Sequence, residues 1–245
     1  MKNYLKSEIY NILHKKSFYI FLGGAWILVN LALLSIASII KDPNQRQFQY
    51  YGTFLATPIL AIIFAVLLSG LVTGKELKIL KNSVAYGISR KDIFWAKYIV
   101  ALSSFILIYL LILISTTLII ISVATSADFD LKLQIIAALE ILPLLISALT
   151  IVYCMNILGV NEIYTLIIVL VFYGGFGKAL IKLSSLFDFN VKIFNFFPDI
   201  LISNIQNLME SSKSISYGYG ALWVSVLIIV IALTLSLKIF ERKDI

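Results

Sequence analysis

Polar side chains that could carry chemistry are sparse in this chain, and their types exclude most kinds of active site. The chain has one cysteine, Cys154, and one histidine, His14, which fall in different segments. A zinc site needs several such ligands, and a cysteine nucleophile needs a histidine beside it. The sequence therefore predicts no metal site and no catalytic residue, and the lone Cys154 has no intrachain disulfide partner.

Glu140 is the one acidic residue well inside a long apolar stretch. A charged side chain near the middle of a bilayer costs about 2.5–3.5 kcal/mol, so it should face protein or water, or be protonated. Two interpretations remain open. Glu140 belongs to a substrate path or gate, or it makes a structural hydrogen bond or ion pair between helices.

Six long apolar stretches must position these residues. The chain is 60% hydrophobic and 13% charged, whereas soluble domains carry about 25% charged residues. A span needs about 20 apolar residues, so we predict an all-α membrane protein with six transmembrane helices in a single domain, residues 1–245. The predicted spans are Phe18–Ile40, Gly52–Val72, Ile93–Val123, Leu133–Leu158, Ile163–Gly175 and Tyr219–Phe240. The fifth is short, and we expect it to continue as broken or re-entrant structure.

Basic residues collect in residues 1–16, in the loop 74–92 and at the C-terminal end. Cytoplasmic loops carry an excess of lysine and arginine, so this pattern predicts that both termini are cytoplasmic. The net charge of +7 fits contact with anionic lipid. It does not indicate a nucleic-acid partner, because the cations are dispersed along membrane edges instead of gathered on one face.

Two polar segments have the periodicity of amphipathic helices. In residues 1–16, Leu5, Ile9 and Ile12 recur at helical spacing among lysines, which predicts a helix on the inner membrane surface. The alternative is a charged flank that only fixes orientation. In residues 176–218, two further apolar stripes predict short amphipathic, re-entrant helices in the outer leaflet between spans five and six. They could cap a path or only pack against lipid.

The loop 74–92 is the most informative polar stretch. Its apolar and basic residues occupy different faces of a predicted short helix, and Gly87 supplies a left-handed stop. Ser89 and Asp92 have the spacing of a helix N-cap, so the third span is predicted to begin there. The segment is therefore predicted to be a short helix held between two spans and facing the cytoplasm. Charge alone would equally describe an ordinary positive loop.

The stretch from Glu76 to Lys97, with Y-G-I-S-R-K-D-I-F-W-A-K at its end, resembles the coupling region of small six-span permeases in the type-2 ATP-binding-cassette (ABC) exporter family. The layout of the whole chain is similar to theirs, including bacteriocin-immunity and peptide-exporter subunits. The resemblance implies contact with a separate ABC ATPase. The residues implied at that contact are Lys75, Glu76, Lys78, Lys81, Asn82, Tyr86, Gly87, Ser89, Arg90 and Lys91.

The chain has no G-x-x-x-x-G-K-[ST] phosphate-binding motif, so ATP and magnesium are expected on the partner ATPase. A second permease copy or a related chain is also expected, with a hydrophobic peptide or lipid-like substrate, in a bacterial plasma membrane. Gly70 and Gly74 form a G-x-x-x-G pair that would allow close helix packing, though chance explains it equally well.

Three other functions remain open: an ion-coupled secondary transporter, a non-transporting assembly factor and, least favoured, an intramembrane enzyme. The enzyme is disfavoured because the spans bring no histidine or acidic pair to membrane depth. No internal repeat of the kind common in secondary transporters is evident.

Overall fold

The computed structural model describes residues 2–39, 43–73, 84, 87–123, 131–186, 192–210 and 219–242, and in this part of the chain it is helical with no strand. The helices are α1 (Lys2–His14), α2 (Lys16–Ile39), α3 (Pro43–Thr73), α4 (Arg90–Val123), α5 (Leu131–Ile157), α6 (Glu162–Gly174), α7 (Phe176–Ser185), a 3-10 helix (Lys192–Phe196), α8 (Pro198–Glu210) and α9 (Tyr219–Arg242). The prediction of an all-α protein is thus confirmed for the described residues.

Four helices (α2, α4, α5 and α9) are long and apolar enough to cross a membrane. The bent pair α6–α7 raises the number to five if it is taken as one span, and its axis changes direction by 52°. In α3 the stretch that qualifies as apolar, Pro58–Thr73, is shorter than the other candidates. Among the described residues, four helices, or five with the bent pair, are therefore candidate spans by length and composition, and the full set of six remains a prediction.

Helix α5 is the centre of the bundle. Of its apolar stretch 56% is buried, whereas at most 28% is buried in the other three candidate spans, α2, α4 and α9. Helix α5 packs against α3, α4, α6, α8 and α9. Small residues make this possible, because Ala137, Ala138 and Ala148 let neighbouring backbones approach closely. Helix α9 is only 17% buried over its apolar stretch. An exposed apolar helix of this kind is stable in lipid and costly in water.

Tyrosine and threonine hydroxyl groups form hydrogen bonds between α5 and α4. The Tyr98 hydroxyl lies 2.9 Å from the Thr150 hydroxyl, and the Tyr153 hydroxyl donates to the Phe94 carbonyl at 2.6 Å. The Phe94 and Tyr153 rings also meet edge to face, with centroids 5.4 Å apart. Hydrogen bonds between apolar helices fix their relative rotation, which dispersion alone specifies weakly.

A second set of hydrogen bonds joins α5 to α3 and α6. Asn156 donates to the Ser69 hydroxyl at 3.1 Å and accepts from the Thr165 hydroxyl at 3.3 Å. Nearer the other end, the hydroxyls of Ser147 and Tyr173 lie 2.7 Å apart. The central helix is therefore tied by polar contacts to helices on several sides.

Two helix boundaries differ from the sequence predictions in an informative way. Helix α3 begins at Pro43, upstream of the predicted span start at Gly52, and proline is favoured in the first turn of a helix. Helix α4 begins at Arg90, before the predicted Ile93. Hydropathy marks the part of a helix that suits lipid, whereas local capping marks where the helix ends, so the two boundaries need not coincide.

Candidate functional site

Several helix ends meet at one end of the bundle, which we call the basic end. Lys15 donates to the Leu71 carbonyl at 3.1 Å, and Lys97 donates to the Val72 carbonyl at 2.9 Å. These are among the last carbonyls of α3, which have no partner within their own helix. Lysines placed there satisfy the carbonyls and complement the negative end of the helix dipole. The end of α3, just before the predicted coupling loop, is thus held by α1–α2 and α4.

A buried ion pair joins α1 to α4 close to the end of α3. The Lys97 ammonium lies 3.2 Å from both carboxylate oxygens of Glu8, and the two side chains are only 8% and 10% exposed. Lys97 is therefore shared between Glu8 and the Val72 carbonyl. A buried charge left without a partner is strongly destabilising, so this geometry fixes the position of α1 relative to α3 and α4.

Two features of the sequence indicate this ion pair, although the sequence analysis did not predict it. Lys97 lies inside the predicted third span, where a lysine is costly unless paired. Glu8 is the only acidic residue of α1. Their pairing could not be derived from local spacing, because they are 89 residues apart.

The left-handed conformation predicted for Gly87 and the helix start predicted at Ser89 are confirmed, whereas the helix predicted before Gly87 lies, except for Val84, outside the described residues. Gly87 has a φ of +81°, in the left-handed region that favours glycine, and its N–H donates to the Val84 carbonyl at 2.9 Å. The Ser89 hydroxyl accepts from the Asp92 N–H at 3.1 Å, as expected of an N-cap. The chain therefore leaves the predicted coupling loop through a defined turn and enters α4 directly.

Arg90 and Lys91, predicted to contact an ATPase, also make contacts within the chain. Arg90 donates to the Glu241 carbonyl at 2.7 Å, and the Lys91 ammonium lies 3.4 Å from a Glu241 carboxylate oxygen. These contacts join the start of α4 to the end of α9. The Lys91 side chain is 67% exposed, so it remains accessible to a partner.

Most other predicted coupling residues lie outside the described residues. These are Lys75, Glu76, Lys78, Lys81, Asn82 and Tyr86, and Gly74 of the G-x-x-x-G pair lies there too. Their roles stay predictions. The structure does show what surrounds the loop on either side: the capped end of α3 and the Gly87–Ser89 turn.

Gly70, the other member of the G-x-x-x-G pair, lies against α6. A Cβ at Gly70 would stand 2.8 Å from a carboxylate oxygen of Glu162, the first residue of α6. The described contact is thus between two helices of the same chain. Because the nearest atom is the end of a flexible side chain, the restriction on residue 70 is mild.

Glu140 is half-buried in α5 and interacts with other groups of the chain. Along α5 it lies roughly four turns before Asn156, whose side chain donates to Ser69 near the end of α3. The structure therefore does not bring it together with the predicted coupling residues that it describes, which are Gly87, Ser89, Arg90 and Lys91. Its role in a substrate path or gate stays a prediction.

Away from the basic end, a buried carboxylate accepts hydrogen bonds from the backbone where α6 bends into α7. Asp199 is 3% exposed, and its two carboxylate oxygens accept from the N–H groups of Gly177 and Lys178 at 3.2 and 3.0 Å. It therefore caps the start of α7 from the first turn of α8. Helix N-termini favour negative charge, so both helices stabilise this carboxylate.

Gly177 makes this cap possible. A Cβ there would lie 2.5 Å from an Asp199 oxygen and 2.6 Å from the Phe197 Cβ. Sequence analysis predicted the two short helices but missed this link. The only local indication was Pro198-Asp199, since proline and an acidic residue often begin a helix.

An apolar groove of about 430 Å³ follows α6 toward the bend. Its lining side chains are all apolar: Ile151, Ile167, Ile168, Val169, Val171, Phe172 and Phe176. A surface of this shape and chemistry fits an acyl chain or apolar peptide side chains and offers no polar group for catalysis.

Comparison of the chain with protein-family models and with curated proteins finds no match. The resemblance to type-2 ABC exporter permeases therefore rests on the motif and layout of the sequence itself.

Proposed function

We propose that this chain is the membrane-spanning permease subunit of an ATP-driven exporter of the type-2 ABC class. In this proposal it has six spans, with α3 and the bent pair α6–α7 counted among them, and lies in a bacterial plasma membrane with both termini in the cytoplasm. A separate ATPase binds ATP and magnesium. Two permease copies, or this chain and a related one, complete the transporter.

The main observation behind the proposal is that the helix ends on both sides of the predicted coupling loop are held in place. On one side, the last carbonyls of α3 are held by Lys15 and Lys97, and on the other the chain turns at Gly87 into the Ser89 cap of α4. A partner that pushes on a loop between two fixed helix ends moves those helices instead of only deforming the loop. This is the mechanical requirement for a subunit that has no ATP site of its own.

Closure of the ATPases on ATP would displace the loop, α3 and α4 together. The ion pair between Glu8 and Lys97 would carry α1 with them. Alternating access then follows from different ATPase contacts in two states of the permease. Asn156 donates to Ser69 of α3 and accepts from Thr165 of α6, and these two hydrogen bonds provide a route from the end of α3 to the bent helix.

The proposed substrate is a hydrophobic or amphipathic molecule such as a peptide or bacteriocin. The groove along α6 supports this, because its lining is apolar throughout. The bend at α7 lies beside it, with Phe172 and Phe176 in ring contact at 6.4 Å between centroids. Glu140 is the proposed polar residue of the path or gate.

Charge reversal in the loop tests the proposal. Lys78→Glu with Lys81→Glu should abolish co-purification of the chain with an ATPase while leaving membrane insertion intact. The matched control is reversal of Lys178 and Lys182 in α7, where no ATPase contact is proposed. Unchanged ATPase association after reversal in the loop would contradict the assignment, as would equal loss in the α7 control.

A further inference from the structure

The outward face of α1 combines lysines with large apolar side chains. At 3.6 residues per turn, Lys2, Lys6, Ile9 and Leu13 fall within an arc of about 60°. All four are exposed, Ile9 by 41% and Leu13 by 47%. We call these four residues the α1 arc. Lysines beside apolar side chains are typical of helices at a lipid interface, where the long side chains reach up to the headgroups.

The rest of α1 gives the arc a defined orientation. Glu8 and Ile12 form the buried side, which packs on α4. Asn3, Ser7 and Asn11 form an uncharged polar side, exposed and roughly 130° from the centre of the arc. The helix therefore has three sides: one packed on protein, one apolar and basic, and one suited to water.

Because of the buried ion pair, α1 itself supplies no negative charge to balance the lysines of the α1 arc. Glu8 is the only acidic residue of α1, and Lys97 draws it to the packed side. Lys15 follows α1, and Lys16 begins the candidate span α2, so the apolar and basic side lies where a membrane-crossing helix begins. This is the level of lipid phosphates in a bilayer.

We propose that the α1 arc binds the headgroups of anionic phospholipids, with Ile9 and Leu13 at the acyl boundary and Lys2 and Lys6 on the phosphates. Charge complementarity and the exposed apolar pair support a lipid partner over an acidic protein, which would leave Ile9 and Leu13 without their favoured surroundings. The inference does not depend on the proposed export function. Each lysine near an anionic surface should strengthen lipid enrichment about fivefold.

The test uses the full chain in lipid nanodiscs that mix phosphatidylcholine with a minority of phosphatidylglycerol. A fluorophore is attached at Leu13→Cys in a Cys154→Ser background, and one lipid class at a time is brominated to quench it. We expect brominated phosphatidylglycerol to quench beyond its share of the lipid, and high salt to weaken this preference. A probe at Asn11→Cys, nearly opposite the arc, should be quenched by neither lipid.

Lys2→Gln and Lys6→Gln should each lower the phosphatidylglycerol preference about fivefold. The paired control, Lys178→Gln with Lys182→Gln in α7, should leave it unchanged. Equal quenching by both brominated lipids would overturn the proposal, as would a preference that survives loss of both α1 lysines. Protection of the Leu13 probe from both lipids would also overturn it, because protein would then cover the arc.

Discussion

Removing one member of the Glu8–Lys97 pair should damage the protein far more than removing both. The side chains are only 10% and 8% exposed, so Glu8→Met or Lys97→Met leaves a buried charge unpaired, at a cost of about 3–5 kcal/mol in the free energy of unfolding. In the double variant no charge remains. What is lost is the hydrogen bond to the Val72 carbonyl, at about 1–3 kcal/mol.

Independent effects of the two single changes would add to roughly 6–10 kcal/mol. We expect the double variant to cost much less, which gives a coupling energy of at least about 3 kcal/mol. The assay is reversible unfolding of the full chain in mixed micelles, followed by circular dichroism. Lys91→Met is the matched control, because its ion pair with Glu241 has a lysine side chain that is 67% exposed and should contribute at most about 1 kcal/mol.

Two results would refute this reasoning. Single variants no more destabilised than Lys91→Met would show that the pair is not desolvated in the membrane protein. Additive costs in the double variant would show that Glu8 and Lys97 do not act on each other. Either result would remove the physical basis for holding α1 to the ends of α3 and α4.

Further predictions concern close packing, hydrogen bonding and capping, and all are measured in the same unfolding assay. Gly177→Ala should destabilise by about 1–3 kcal/mol, because its Cβ would lie 2.5 Å from a buried carboxylate oxygen; Gly174→Ala, with open space around it, should be neutral or stabilising. Tyr153→Phe should cost about 1–2 kcal/mol, since its buried hydroxyl donates to an α4 carbonyl, whereas Tyr164→Phe at an exposed site should cost nothing measurable. Ser89→Ala should cost about 1 kcal/mol and Ser89→Asp should restore it, and equal stability of both variants would contradict the cap.

The parts of the fold that sequence analysis predicted well are governed by local physics. Long apolar stretches become helices because lipid requires every backbone group to bond within its own segment, and α9 at Tyr219–Arg242 closely matches the predicted span. The Gly87 stop and the Ser89 cap depend on bonds three residues long, so the sequence contains them directly.

The features that were missed depend on contacts between distant segments. The hydrogen bond between Asp199 and Gly177 joins residues 22 positions apart. The periodicity of the sequence does not show which helix N-terminus a carboxylate will cap. The same limit applies to Arg90, which was assigned to an outside partner and also holds the end of α9. A basic residue in a loop must contact an anionic group, another hydrogen-bond acceptor or water. Tertiary packing decides which of these it contacts, and the local sequence does not show that packing.

The most direct test of the account is site-specific photo-crosslinking in native membranes from Tyr86, in the predicted coupling loop. A matched crosslinker at Phe196, which is 56% exposed near the α6–α7 bend, serves as the control for the other end of the bundle. The account predicts that residue 86, and not residue 196, captures a polypeptide carrying a G-x-x-x-x-G-K-[ST] motif. Capture of that polypeptide from residue 196, or its absence from residue 86, would contradict the claim that this chain takes its motion from a separate ATPase.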